Sequence, residues 1–186
     1  MQTEISAAAV FPNVYVVQVM GEESVLDIPF DAVAAYHGQG ALAMLAVTYM
    51  GMYGALARVS GDLPGRAELR VVSGHPGPGV RDAFEFIARV VTRGCYQVDT
   101  SLPWARYSLD GARSYSFVLS CRGQEIRAVL REGVLPPAFF ELLASRQPGD
   151  AESFRLLRRK LAHEILVQAP EKLFDFTLLE SAGSSV

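Results

Sequence analysis

From Gly38 to Ala57 the chain carries no charged residue, and that run is long enough to cross a bilayer. A helix apolar on every side belongs either in lipid or at the centre of a globular core. Composition decides between them. Ala, Gly, Met and Tyr dominate the run in place of Leu, Ile and Val, and only Arg58 flanks it closely on the C-terminal side. The expected state is a buried helix with a body over about Ala41 to Val59, ended near Gly61 and Pro64, and no membrane span.

The flanking sequence supplies the layers that such a helix needs. Val14 to Met20 is rich in β-branched residues and stops at Gly21, so it reads as a strand that can pair at a sheet edge. Glu68 to Ser73 reads as another strand. The loop Gly74-His-Pro-Gly-Pro-Gly79 passes the chain to a helix over about Val80 to Thr92, with Gly94 placed as its cap. Ser114 to Cys121 and Gln124 to Leu130 alternate around Arg122-Gly123, a hairpin signal that puts Tyr115, Phe117, Leu119 and Cys121 on one face. Pro136 and Pro137 can open a short helix to about Ser145, and Ala151 to Val167 carries Phe154, Leu157, Leu161 and Ile165 at helical spacing. The fold expected is α+β: a mixed or antiparallel sheet packed around a long buried helix, with a helical C-terminal segment. Residues 1–180 are read as one domain and 181–186 as a tail.

Charge narrows the partners. Seventeen Lys and Arg face twenty Asp and Glu, for a formal net charge of −3, and half of the residues are hydrophobic. That is an ordinary globular composition with no nucleic-acid footprint. The tightest basic cluster, Arg155, Arg158, Arg159 and Lys160, reads as a solvated helix face, and His163 beside it as solvated too. Two cysteines are too few for a disulfide framework, and the start lacks the pattern of a signal peptide, so a cytoplasmic location is expected. Cys121 reads as a core thiol, and Met44, Met50 and Met52 as core filling.

The residues able to carry chemistry lie at element boundaries among glycines: His37 in Tyr36-His-Gly-Gln-Gly40, His75 in the loop after a strand, and Cys95 in Arg93-Gly-Cys-Tyr96. Imidazole and thiolate are ligands that zinc prefers, and three protein ligands leave a position open for water or substrate. Scattered by tens of residues, the three have no local motif to fix their geometry. Each also has an ordinary use: His37 bonding a helix end, His75 in an exposed loop, Cys95 as a small buried hydrophobe. The glycine-rich turn around His75 can instead offer backbone N–H groups to an anion, although two prolines remove donors.

In order, these pieces resemble the FmdE-like family, named for formylmethanofuran dehydrogenase, whose signature is a His-Gly-His followed by Cys-Pro-Gly at the start of a long helix. His37 and Gly38 match it, while Gln39 and Ala41 stand where the family has its second histidine and its cysteine. Gly77-Pro-Gly-Val-Arg-Asp-Ala83 and Arg93-Gly-Cys95 look like two later anchors, and the likeness spans about Ile28 to Ser145. The resemblance implies an α+β domain, often dimeric, with a polar pocket between the start of the long helix and the second strand-to-helix turn. Three readings follow. One is an accessory protein in which His37, His75 and Cys95 hold a divalent transition metal, zinc foremost, and present it to a small molecule or to a partner enzyme of molybdenum or tungsten type. Another is a metal-free enzyme or sensor binding a small organic acid or anion, with Arg81 or Arg106 as counter-charge. The third is a homodimeric interaction module with a vestigial site, its apolar surface supplied by Leu173, Phe174, Phe176, Leu178 and Leu179.

Overall fold

Helix α2, Leu42–Leu56, is the axis of the fold, and Tyr49, Met50, Met52, Leu45 and Ala46 on it are inaccessible to solvent. With apolar residues on all sides it must be enclosed on all sides, and the rest of the chain is arranged to do that. The computed structural model describes residues 11–102, 114–145 and 147–179; the expected tail, Trp104 and Arg106 lie outside the described residues. Among the described helices none is long and apolar enough to cross a membrane.

The chain enters through a small antiparallel sheet of β1, Val17–Met20, and β2, Val25–Ile28. Helix α1, Phe30–Tyr36, then leads to α2. Strand β3, Arg70–Ser73, runs into α3, Pro78–Ala88, and the chain returns as β4, Tyr96–Val98, parallel to β3. The hairpin of β5, Phe117–Cys121, and β6, Gln124–Leu130, turns at Arg122 and Gly123, both at positive φ as a tight hairpin turn requires. Helices α4, Pro137–Ala144, and α5, Asp150–Leu166, follow, and then a short α6, Pro170–Leu173, delivers β7, Phe174–Leu179. The sheet runs β4-β3-β5-β6-β7, antiparallel except for β3 and β4. The result is the expected α+β arrangement of a mixed sheet against a long buried helix.

One side of α2 is cut to fit the sheet. A Cβ on Gly51 would stand 2.8 Å from Phe117 and 2.9 Å from Phe174, and one on Gly54 would run into the Phe176 ring and lie 2.9 Å from Pro170. Those two glycines let the rings of β5 and β7 lie directly on the helix backbone.

Three local expectations change. Helix α3 ends at Arg89, which takes the left-handed cap conformation itself (φ 53, ψ 28), five residues before Gly94. His163 packs its ring against Phe11 at 4.7 Å instead of lying in solvent. The apolar run after Pro170, expected as surface for a second copy, is largely used at home: β7 pairs with β6, and Leu173 and Phe174 are buried, leaving Leu178 58% exposed. A strand with one covered face produces that mixture, because alternate residues point to opposite sides.

Candidate ligand cleft

Between the N-terminal ends of α2 and α3 and the facing sides of α4 and α5 lies a cleft of about 190 Å³. Met44, Val80, Phe139, Leu143 and Phe154 make its walls apolar, and His75, Tyr115 and Arg158 bring polar groups to it. His75, Tyr115, Met44 and Val80 also border a water-sized void of about 10 Å³ deeper in, reached by Thr48, Ser73 and Ser116. The buried serine, threonine and histidine side chains of the described residues are Thr48, Ser73, His75, Ser114 and Ser116. All of them border this void except Ser114, whose hydroxyl bonds that of Ser116. Buried polar groups cost stability unless paired, and these are paired: Thr48 Oγ1 donates to Met44 O, Ser73 bonds the His75 backbone, and Ser114 Oγ accepts the Ser116 N–H.

The histidine at its centre is firmly oriented. The His75 backbone N–H donates to Ser73 Oγ at 3.1 Å, and Ser73 Oγ donates to His75 O. The ring stacks on Tyr115 with 4.5 Å between centroids and 18° between planes. Its Nδ1 accepts the Gly77 N–H at 2.9 Å. With Nδ1 accepting, the neutral ring carries its proton on Nε2 and is a donor there. This geometry also explains the glycines: a Cβ on Gly77 would stand 2.5 Å from His75 Cε1, and one on Gly79 2.7 Å from the Ala41 methyl. Any larger residue at either place would push α3 off its histidine or off α2.

His37 stands at the C-terminal end of α1, with Nδ1 2.8 Å from Asp82 Oδ2 on α3 and both side chains mostly covered. Its Nε2 lies 3.7 Å from where a Gly79 Cβ would be, so the ring rests against the first turn of α3. Cys95 is elsewhere. Its backbone O accepts the Val71 N–H at the start of β3, whereas His75 follows the end of that strand, about 13 Å away along an extended chain. The Cys95 thiol lies beside Arg93, past the far end of α3. The fold therefore carries His37 and His75 to one end of α3 and Cys95 to the other, and His75 has committed Nδ1 to a backbone donor. Among the described residues no three His, Cys, Asp or Glu side chains are grouped to hold a metal ion. The physical reason is topological: β3, α3 and β4 form a parallel crossover, which puts the loop before α3 and the loop after it at opposite ends of the strands.

Within the basic run of α5, Arg158 and Arg159 are half-buried, and Arg158 is the one that lines the cleft. Arg155 and Lys160 are exposed, but the Arg158 guanidinium turns inward over the Phe154 ring at 4.5 Å, and its Nε is buried without a hydrogen-bond partner. Burial lowers its affinity for the proton, though an arginine remains charged. The only sequence signal for it is Phe154 four residues before, which makes that turn of the helix aromatic. Arg81, expected as a counter-charge, is exposed on α3 and does not line the cleft.

Fold and cleft together define an α+β domain with a largely apolar cleft bordered by His75, Tyr115 and Arg158. No family model matches the chain, and no curated protein matches it either.

Proposed function

We propose that this chain binds a small organic acid with an apolar body in the cleft between α2, α3, α4 and α5, without a metal. The observation that carries the reading is an apolar-walled cleft bordered by His75 and Tyr115, whose arginine, Arg158, has a buried Nε without a hydrogen-bond partner. Ligand sites are of this kind: mostly apolar, with a few convergent polar groups that fix orientation. A carboxylate would take Arg158, and the hydrocarbon part would lie against Phe139, Leu143 and Met44. The cleft lies between the start of the long helix and a strand-to-helix turn, the place where the family resemblance implies a pocket, though a polar one, and this supports a ligand there.

Calorimetric titration of the full chain with phenylacetate and isovalerate tests this. Saturable one-to-one binding is expected, at least about 10-fold weaker in Arg158→Gln, the loss of one charged hydrogen bond, and weaker for phenylacetamide. No binding of either acid, or equal affinity in the variant, overturns it.

A second reading keeps the resemblance whole: an accessory protein of the FmdE-like type, presenting zinc or a similar ion to a partner enzyme. The His37–Asp82 pair favours it, because carboxylates orient metal-binding imidazoles in this way and leave Nε2 for the ion. Elemental analysis of protein purified without added metal decides it: a stoichiometric metal lost in His37→Ala supports this reading, and a metal-free protein ends it. With either ligand the chain is proposed to work in the cytoplasm, as a homodimer formed partly by the C-terminal segment, where Leu156 and Leu178 are each more than half exposed. A monomer by light scattering at micromolar concentration would remove the dimer.

A further inference from the structure

A second cavity, of about 350 Å³, opens at the other end of α3, lined by Arg66, Arg89 and Arg93 around Met20, Leu26, Gly21 and Ala67. Two of the arginines have evident structural work. Arg66 donates through Nε and Nη2 to the carbonyls of Ile87 and Phe86, and Arg93 through its two terminal nitrogens to those of Ala67, Leu69 and Ala88. They cover the helix-end carbonyls that would otherwise repel an anion. The third is surplus to that work. Arg89 is exposed and its guanidinium makes no hydrogen bond or ion pair among the described residues, yet it stands at the left-handed cap position where glycine fits best. Burial, then crowding by Arg89 and Arg93, holds Arg66 below its ordinary proton affinity. Of the nearby acids, Glu85 is turned to the Val91 and Thr92 N–H groups and the Thr92 hydroxyl, and Glu22 alone lines the cavity. Arg93 Nε, finally, is buried with no hydrogen bond.

We propose that this cavity binds a small phosphate ester, its dianion held by Arg89 with Arg66 and Arg93 and its organic part against Met20 and Leu26. An arginine kept where glycine would be easier, beside two others already committed, is best explained by a ligand that needs a third positive charge, since strained backbone persists where function holds it. Guanidinium forks match phosphate oxygens, which favours phosphate over a single carboxylate.

The test is calorimetry of the full chain with phenyl phosphate and with inorganic phosphate. Saturable binding is expected, tighter for phenyl phosphate, lowered at least about 10-fold in Arg89→Gly and unchanged in Arg158→Gln, which separates this site from the cleft. Because glycine relieves the left-handed backbone, Arg89→Gly should melt no lower than the parent chain, so lost binding cannot be lost folding. The proposal is overturned by absence of binding, by equal binding in Arg89→Gly, by loss in Arg158→Gln, or by a single-stranded oligonucleotide that binds more tightly than phenyl phosphate.

Discussion

Tyr49 has its hydroxyl at the centre of α2's packing, where it accepts the Val17 N–H at 3.1 Å, donates to Ile28 O at 2.8 Å and lies 3.0 Å from Tyr15 O. It ties β1 and β2 to the core helix, and burial pushes it up to about 12 from an ordinary value of 10.0. A raised value means that the folded state holds the proton more firmly than the unfolded one. The corresponding stability is complete below pH 10 and is lost as pH rises from 10 towards 12. Tyr49→Phe should cost about 1–3 kcal/mol near neutrality, because Val17 N–H loses a buried acceptor. Urea midpoints should show that deficit shrinking across the same alkaline window, and a constant gap would sink the assignment. Residues such as this are only partly legible in the sequence. Tyr49 is visibly core from its apolar run, but which strands it clasps depends on β2, which four residues with Asp27 among them do not announce. His75 is legible by its glycines. Arg158 is not, since an inward arginine and a solvated one have the same letter.

At the level of elements, α2 can be read from sequence because absence of charge over that length has few physical solutions. Its glycines cannot be interpreted without knowing what they face. On helix propensity alone Gly54→Ala should stabilise by about 1 kcal/mol. Against the Phe176 ring and Pro170 it should instead destabilise by about 1–3 kcal/mol, the usual cost of overpacking. Thermal melts of Gly54→Ala and of Gly94→Ala, whose added methyl meets nothing within 4 Å, separate packing from conformational cost. A gain in melting temperature for Gly54→Ala would show that the ring can move aside. The end of α3 is hidden in the sequence for a related reason. Gly94 has the preferred residue type, yet the Arg66 and Arg93 side chains take up the last carbonyls a full turn earlier, so the helix stops at Arg89.

Over the whole molecule, the sheet order places β7 at one edge and β4 at the other, with β6 completed only by residues from the end of the described chain. The hairpin is plain in the sequence, but the last apolar run reads there as an interface, because a strand buried on one face and an adhesive surface have the same alternation until a partner is known. If β7 is part of the core, a chain ending at Leu173 should expose β6 and the sheet side of α2 and bind a hydrophobic dye strongly. Native-like spectra for that truncation would return the segment to the surface. Phe174 and Phe176, which close over Gly51 and Gly54, are about 120 residues further along the chain, so at roughly 5–20 residues per second the ribosome takes about 6–24 s to deliver them. For that interval an uncharged, apolar helix of 15 residues waits without its cover. Newborn copies of this protein should therefore depend on chaperones far more than finished ones do.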